Sequence, residues 1–117
     1  VRTGYLSDAD LAALRAGASV CCLPSFAEGF GLPALEALAA GTPVVTTART
    51  ALAEVVGDAA VLVPAGRPDR LADALRRVLD DEDLAAVLRA AGPERAATFS
   101  WERTAESTDE IYRTVTP

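Results

Sequence analysis

Two carboxylates that lie eight positions apart, Glu28 and Glu36, are the residues of this 117-residue sequence best suited to chemistry. Between them lie a glycine-flanked aromatic residue at 29–31 and a Leu-Pro pair typical of a helix start. Backbone amides of a glycine turn at a helix N-terminus can bind an anion such as phosphate. Carboxylates accept hydrogen bonds from neighbouring hydroxyl groups such as those of a sugar. The segment therefore predicts a site for a ligand that carries both phosphate and sugar.

The elements around this segment follow an alternating pattern. Short apolar runs predict strands at 1–6, 19–23, 43–47 and 60–63. Helical spacing and capping residues predict helices at 7–17, 32–40, 51–56, 68–79, 83–91 and 100–115. Gly92 and Pro93 are expected to interrupt the fifth helix. The predicted fold class is α/β, with a parallel sheet covered by helices in 1–64 and a helical tail in 65–117, all in one domain.

Composition excludes several functions. Half of the residues are apolar, which argues against disorder, and the net charge of −6 argues against nucleic acid or an anionic membrane as the main partner. The chain has no histidine, so it cannot form a Ser-His-Asp triad or a Cys-His pair, and no metal site is predicted. Cys21 and Cys22 should point to opposite faces of a strand as buried thiols, which fits a reducing cytoplasm.

A series of motifs carries a resemblance to a known family. They are Gly-Tyr-Leu-Ser-Asp at 4–8, Leu-Pro-Ser at 23–25, Glu-Gly-Phe-Gly at 28–31, Pro-Ala-Leu-Glu-Ala at 33–37, Gly-Thr-Pro-Val-Val at 41–45, Leu-Ala-Glu-Val-Val-Gly-Asp-Ala-Ala at 52–60 and Phe-Ser-Trp at 99–101. In this order they resemble the C-terminal, donor-binding domain of retaining GT-B glycosyltransferases of the group 1, family 4 type. The resemblance implies the C-terminal half of that domain, with a partial Rossmann-like parallel sheet and flanking helices.

The resemblance also implies roles for particular residues. Those matched to the donor sugar are Glu28, Gly29, Phe30 and Gly31. Glu36 is matched to the ribose of the nucleotide, and the backbone of Gly31 and Leu32 to the phosphates. No residue is a convincing catalytic base or nucleophile. Simpler interpretations are a solvated turn acid for Glu28 and a helix-dipole acid in the first turn for Glu36, while the Phe30 side chain is expected in the core and Trp101 as a packing anchor.

The implied reaction transfers a sugar from a nucleotide diphosphate sugar to an acceptor with retained anomeric configuration. The donor is a substrate, and no cofactor is implied. The family's Arg/Lys phosphate clamp and its N-terminal acceptor domain are not in this chain, so the chain alone is expected to be inactive. The expected location is the cytoplasm, with peripheral membrane attachment of the full-length protein left open.

Two other functions stay open: a sugar-nucleotide epimerase of the same fold, and a non-catalytic remnant that binds nucleotide sugars. One departure from the family concerns the loop after the third predicted strand. There many relatives have Gly-Gly-Leu-Pro-Glu, whereas this chain has Thr-Ala-Leu-Ala-Glu at 50–54. Without the two glycines and the proline, backbone contacts from this loop to the donor are in doubt.

The predicted sheet has an unprotected edge. In a doubly wound sheet, two central strands missing from this chain should separate 1–6 from 19–23. The segment 19–23 then exposes an apolar edge without the charges or proline that protect natural edges. Either 1–6 moves in beside it, or a second copy pairs with it, or it belongs to a larger molecule. We favour the last two, because 1–6 is short and weakly apolar.

Overall fold

The computed structural model, which describes residues 1–115, contains three parallel strands and six α-helices. The strands are β1 (Cys21–Leu23), β2 (Val44–Thr47) and β3 (Val61–Val63). The helices are α1 (Asp8–Gly17), α2 (Leu32–Ala39), α3 (Ala51–Val56), α4 (Pro68–Asp80), α5 (Glu82–Ala96) and α6 (Trp101–Val115). The α/β prediction with a helical C-terminus is confirmed.

The sheet has the order β1-β2-β3, and β2 is buried along its whole length. Because side chains alternate along a strand, Val44 and Val45 enter different hydrophobic clusters. Val44 packs with buried residues of α2, α3 and the end of α5, whereas Val45 packs with those of α4 and Leu88 of α5. Helices therefore cover both faces of the central strand.

The predicted strand at residues 1–6 is wrong, because the structure has no strand before α1. Gly4 has a φ of 68°, which is incompatible with an extended strand, and Val1 and Tyr5 are exposed. Within the described residues, the edge of β1 opposite β2 has no strand beside it. The first of the three alternatives for this edge is therefore excluded, and the other two stay predictions.

The two cysteines differ in their surroundings. Cys21 is half-buried and packs against the cluster that contains Val44, whereas Cys22 is exposed. The expectation that both thiols are buried is wrong for Cys22. Burial raises the pKa of the Cys21 thiol, and the nearby Arg15 opposes this rise.

The expected interruption at Gly92 and Pro93 is also wrong, since α5 runs unbroken from Glu82 to Ala96. Gly92 is buried, and a Cβ atom built on it would lie 2.8 Å from the carbonyl oxygen of Leu38 in α2. Gly92 therefore allows the backbones of α5 and α2 to approach closely, rather than ending the helix.

We expect Gly92→Ala to lower the free energy of unfolding of the chain by about 1–3 kcal/mol, because the added methyl group collides with backbone that cannot yield cheaply. Denaturant titration measures this change. The control is Gly17→Ala at the end of α1, where an added Cβ meets nothing within 4 Å. Alanine there should be neutral or stabilise by up to about 1 kcal/mol. Equal effects of the two substitutions would contradict this account of Gly92.

Candidate functional site

The predicted site lies where the chain leaves β1 and enters α2. Two threonines at the end of β2 hold this exit: Thr46 Oγ1 donates to the carbonyl oxygen of Leu23 at 2.8 Å, and Thr47 Oγ1 donates to that of Ser25 at 2.5 Å. Both hydroxyl groups are buried with their residues. The carboxyl end of the neighbouring strand therefore fixes the start of the turn that carries the candidate ligands.

Gly31 gives this turn its shape. It has a φ of 97° at the N-cap of α2, and an added Cβ would lie 2.3 Å from Cδ2 of Leu52, the second residue of α3. Both observations explain why only glycine fits there. The N-cap contributes no side-chain hydrogen bond to α2. The amide of Leu32 in the first turn has no acceptor within the helix, so it is available to a ligand.

The first carboxylate, Glu28, is exposed and lies beside the turn. Its Oε2 lies 3.4 Å from the hydroxyl of Ser25, and its Cγ lies 3.7 Å from the position of a Cβ on Gly31. Its neighbour Gly29 has open space around its Cα, because a Cβ built there meets nothing within 4 Å. The fold therefore gives no steric reason for glycine at position 29. A ligand that approaches this part of the backbone would give one, because a side chain there would block it.

The second carboxylate, Glu36, lies beyond the first turn of α2, which contains no acidic residue. Arg15 of α1 binds it, with Nη1 at 2.5 Å from Oε2. The Arg15 side chain is 19% exposed and that of Glu36 is 51% exposed, so half of the Glu36 side chain stays open to solvent in the ion pair. The two residues line a cleft of about 350 Å³ between α1 and α2, whose lining does not include Glu28.

Sequence reasoning missed the partners of the aromatic residue in the turn. The Phe30 side chain is 43% exposed, so its expected place in the core is wrong. It packs edge-to-face on Phe99 at 5.9 Å between ring centroids, and the guanidinium of Arg95 lies 5.1 Å from the Phe99 centroid. Trp101 is 80% exposed, so its expected role as a packing anchor is also wrong within the described residues.

The loop after β2 also reaches the site, although it lacks the family's glycines. Arg49 has a φ of 63°, an uncommon backbone conformation for a residue with a side chain. Leu52, three residues further on, is fully buried and lies against Gly31. The contact with the turn is therefore made by a leucine side chain of α3, the helix that follows this loop.

Two other kinds of feature are absent from the described residues. Within 1–115, no group of three or more His, Cys, Asp or Glu side chains is arranged to hold a metal ion. No helix in the same range is both long and apolar enough to cross a membrane.

Comparison with known proteins decides the family. A family model described as "Glycosyl transferases group 1" matches residues 2–95. The chain belongs to this family. The group 1 resemblance is therefore confirmed, whereas the family 4 type and the retaining mechanism stay predictions.

Curated relatives of this group 1 chain include two mannosyltransferases. It is 46% identical over 111 residues to an MMP alpha-(1->4)-mannosyltransferase of Mycolicibacterium hassiacum, covering 92% of this chain and 27% of that protein. It is 40% identical over 110 residues to the O-antigen chain mannosyltransferase B of Escherichia coli, covering 94% of this chain and 29% of that protein. The chain thus spans less than a third of the length of these relatives.

Solved structures give the same fold for the group 1 chain. A sucrose-phosphate synthase from Thermosynechococcus elongatus superposes with a TM-score of 0.84 at 36% identity, covering 97% of this chain and 29% of that one. WaaG, a glycosyltransferase involved in lipopolysaccharide biosynthesis, superposes with a TM-score of 0.72 at 28% identity, covering 87% of this chain and 28% of that one. The three parallel strands and flanking helices are therefore those of known glycosyltransferases.

Proposed function

We propose that this chain binds the nucleotide diphosphate sugar of a glycosyltransferase that transfers the sugar to an acceptor with retained configuration. The observation that carries the proposal is the turn at 28–31, with Gly31 in its left-handed conformation at the N-terminus of α2. The family assignment supports transfer as the reaction. Retention rests on the resemblance alone.

The phosphates would bind at the start of α2. The backbone amides of Gly31 and Leu32 provide donors, and the helix dipole contributes the equivalent of about half a positive charge. Gly31 has no side chain to obstruct an anion, and Pro33 has no N–H to leave unsatisfied. The turn is thus suited to an oxyanion that approaches along the helix axis.

The two carboxylates would bind hydroxyl groups on either side of the phosphates. Arg15 binds Oε2 of Glu36, and the Glu36 side chain is half-exposed, so we propose that its carboxylate also accepts from the ribose hydroxyls. Glu28 lies beside the glycine backbone at the start of the turn, where the donor sugar would come within reach of both. Carboxylates accept hydrogen bonds from vicinal hydroxyls, which distinguishes the sugar and ribose from the diphosphate between them.

The charges of the proposed site indicate that positive charge for the diphosphate must come from elsewhere. Two carboxylates beside a diphosphate repel it, and the dipole of α2 offsets only part of that repulsion. The departing nucleoside diphosphate also needs positive charge for its stabilisation. We therefore propose that a phosphate clamp and an acceptor domain from outside these residues complete the enzyme. The proposed location is the cytoplasm, where thiols such as Cys22 remain reduced.

The experiment that tests this function uses the full-length gene product containing residues 1–117, and residues 1–117 alone. Each is incubated with hexoses linked to UDP, GDP or ADP, with and without mannosylated glycans as acceptors. We expect transfer by the full-length product only, with the product's anomeric configuration by NMR matching that of the donor. Transfer by residues 1–117 alone, or sugar isomerisation without an acceptor, would contradict the proposal.

A further inference from the structure

We infer that Arg95 and Phe99 are positioning residues for the donor turn, an inference that rests on the proposed function. Neither residue lies in the turn or in the first helical turn of α2. Arg95 lies in the last turn of α5, and Phe99 lies between α5 and α6, beside the turn. The inference is that they hold the turn in the shape that binds the diphosphate.

Arg95 joins α5 to the end of α3. Its Nε donates to the carbonyl oxygen of Val55 at 2.9 Å, and its Nη2 donates to that of Glu54 at 2.5 Å. The last carbonyls of a helix lack partners within the helix and carry the negative end of its dipole, so a cation there is favourable. One guanidinium thus satisfies two carbonyls and fixes the short helix α3 in place.

Phe99 joins the same arginine to the donor turn. The guanidinium lies 5.1 Å from the centroid of the Phe99 ring, within the range of a cation–π contact. The rings of Phe99 and Phe30 meet at 88°, the edge-to-face arrangement that aromatic pairs favour. Phe30 is therefore held by a residue outside the turn.

The contacts close into a ring. Phe99 holds Phe30 from one direction, and Leu52 of α3 lies against Gly31 from the other. Arg95 ties Phe99 to α3, so both contacts share one support. Glycine is conformationally permissive, and a turn with two glycines needs such outside restraint to keep its amides aligned. Donors that are aligned before the ligand arrives need no reorganisation to bind it.

The test measures the Kd of the nucleotide sugar and the KM of the acceptor in the full-length gene product. The variants are Phe99→Leu, Phe99→Tyr, Arg95→Ala and Arg95→Lys. The matched control is Arg89→Ala on the same helix, whose arginine contacts Glu82 on the surface. Thermal unfolding identifies a temperature at which every variant is folded.

We expect Phe99→Leu and Arg95→Ala to raise the donor Kd about three- to tenfold while the acceptor KM stays unchanged. Phe99→Tyr keeps the ring and should restore the wild-type Kd. Arg95→Lys keeps the charge but loses the two-carbonyl geometry and should give an intermediate value. A donor Kd in these variants equal to that of Arg89→Ala would overturn the inference and leave the proposed function standing. A wild-type product that does not bind the donor would overturn both.

Discussion

Gly31→Ala is expected to abolish measurable donor binding by the full-length gene product. The left-handed conformation at a φ of 97° costs an L-residue roughly 1–2 kcal/mol, and the new Cβ would lie 2.3 Å from the Leu52 side chain. Relief of this clash needs a shift of the fully buried Leu52 side chain or of the turn itself, and a shift of the turn would misalign the amides of Gly31 and Leu32. Calorimetric titration with the nucleotide sugar measures the loss, and denaturant titration should show a fall in stability of about 1–3 kcal/mol.

Gly29→Ala is the matched comparison for this prediction. Position 29 lies outside the left-handed region and has open space around its Cα, so alanine should leave the free energy of unfolding within about 0.5 kcal/mol of wild type. Donor affinity should still fall, because the methyl group occupies space that the sugar is proposed to use. Wild-type donor affinity in Gly31→Ala would contradict the proposed site.

The second large effect concerns Glu36→Ala, for which we expect the nucleotide to bind about 2- to 150-fold more weakly once the opposing effects below are subtracted. Loss of a charged hydrogen-bond acceptor costs roughly 1.5–3 kcal/mol when its partners lose their hydrogen bonds. Two opposing effects are smaller. Removal of one like charge near the phosphates gains about 1 kcal/mol at most in a solvated site, and the freed Arg15 can approach the phosphates.

The sign of the net effect therefore tests the ribose role of Glu36. Glu36→Gln keeps the shape and one oxygen acceptor while removing the charge, so it should recover part of the affinity. Tighter binding in Glu36→Ala than in wild type would mean that repulsion dominates and that Glu36 does not contact the ribose. Arg89→Ala is again the control, since it removes only the surface ion pair with Glu82 on α5.

Most of the fold was predictable because its local patterns agree with its packing. The strand signals at 43–47 and 60–63 and the helix signal at 51–56 match β2, β3 and α3 to within one residue at each end. Each strand is a short apolar run bounded by turn residues, and helices separate them. The misplaced strand at 1–6 shows the limit of this reasoning, since the positive φ of Gly4 is not visible in a propensity pattern.

Gly92 shows a different limit. Within one segment, glycine followed by proline indicates a helix end. The structure shows that glycine is required at position 92 because the backbone of Leu38, on another helix, lies so close to it. Close approach of two helices is a property of the tertiary structure, so it overrides the local preference.

The candidate site was also predictable only where its residues lie close together in the sequence. The sequence was enough to place Glu28, Gly31 and Glu36 along one strand-turn-helix unit, with Gly31 at the N-cap of α2. It did not show that Glu36 lies beyond the first turn, in a cleft whose lining does not include Glu28. The partners Arg15 and Phe99 were not predictable, because their contacts with the site join segments that are distant in sequence. These contacts depend on how α1 and α5 pack against α2. The motif at 99–101 includes Phe99 but does not show which residue its ring contacts.

The central claim is that Glu28 and Glu36 bind the two ends of one donor, and the affinities of two ligands test it most directly. Calorimetry of the full-length gene product measures the Kd of a nucleotide diphosphate sugar and of the same nucleoside diphosphate without sugar, for wild type, Glu28→Ala and Glu36→Ala. We predict that Glu36→Ala weakens both ligands by the same factor, whereas Glu28→Ala weakens only the ligand that carries the sugar. Equal weakening of both ligands by Glu28→Ala, or no change with either substitution, would contradict the account.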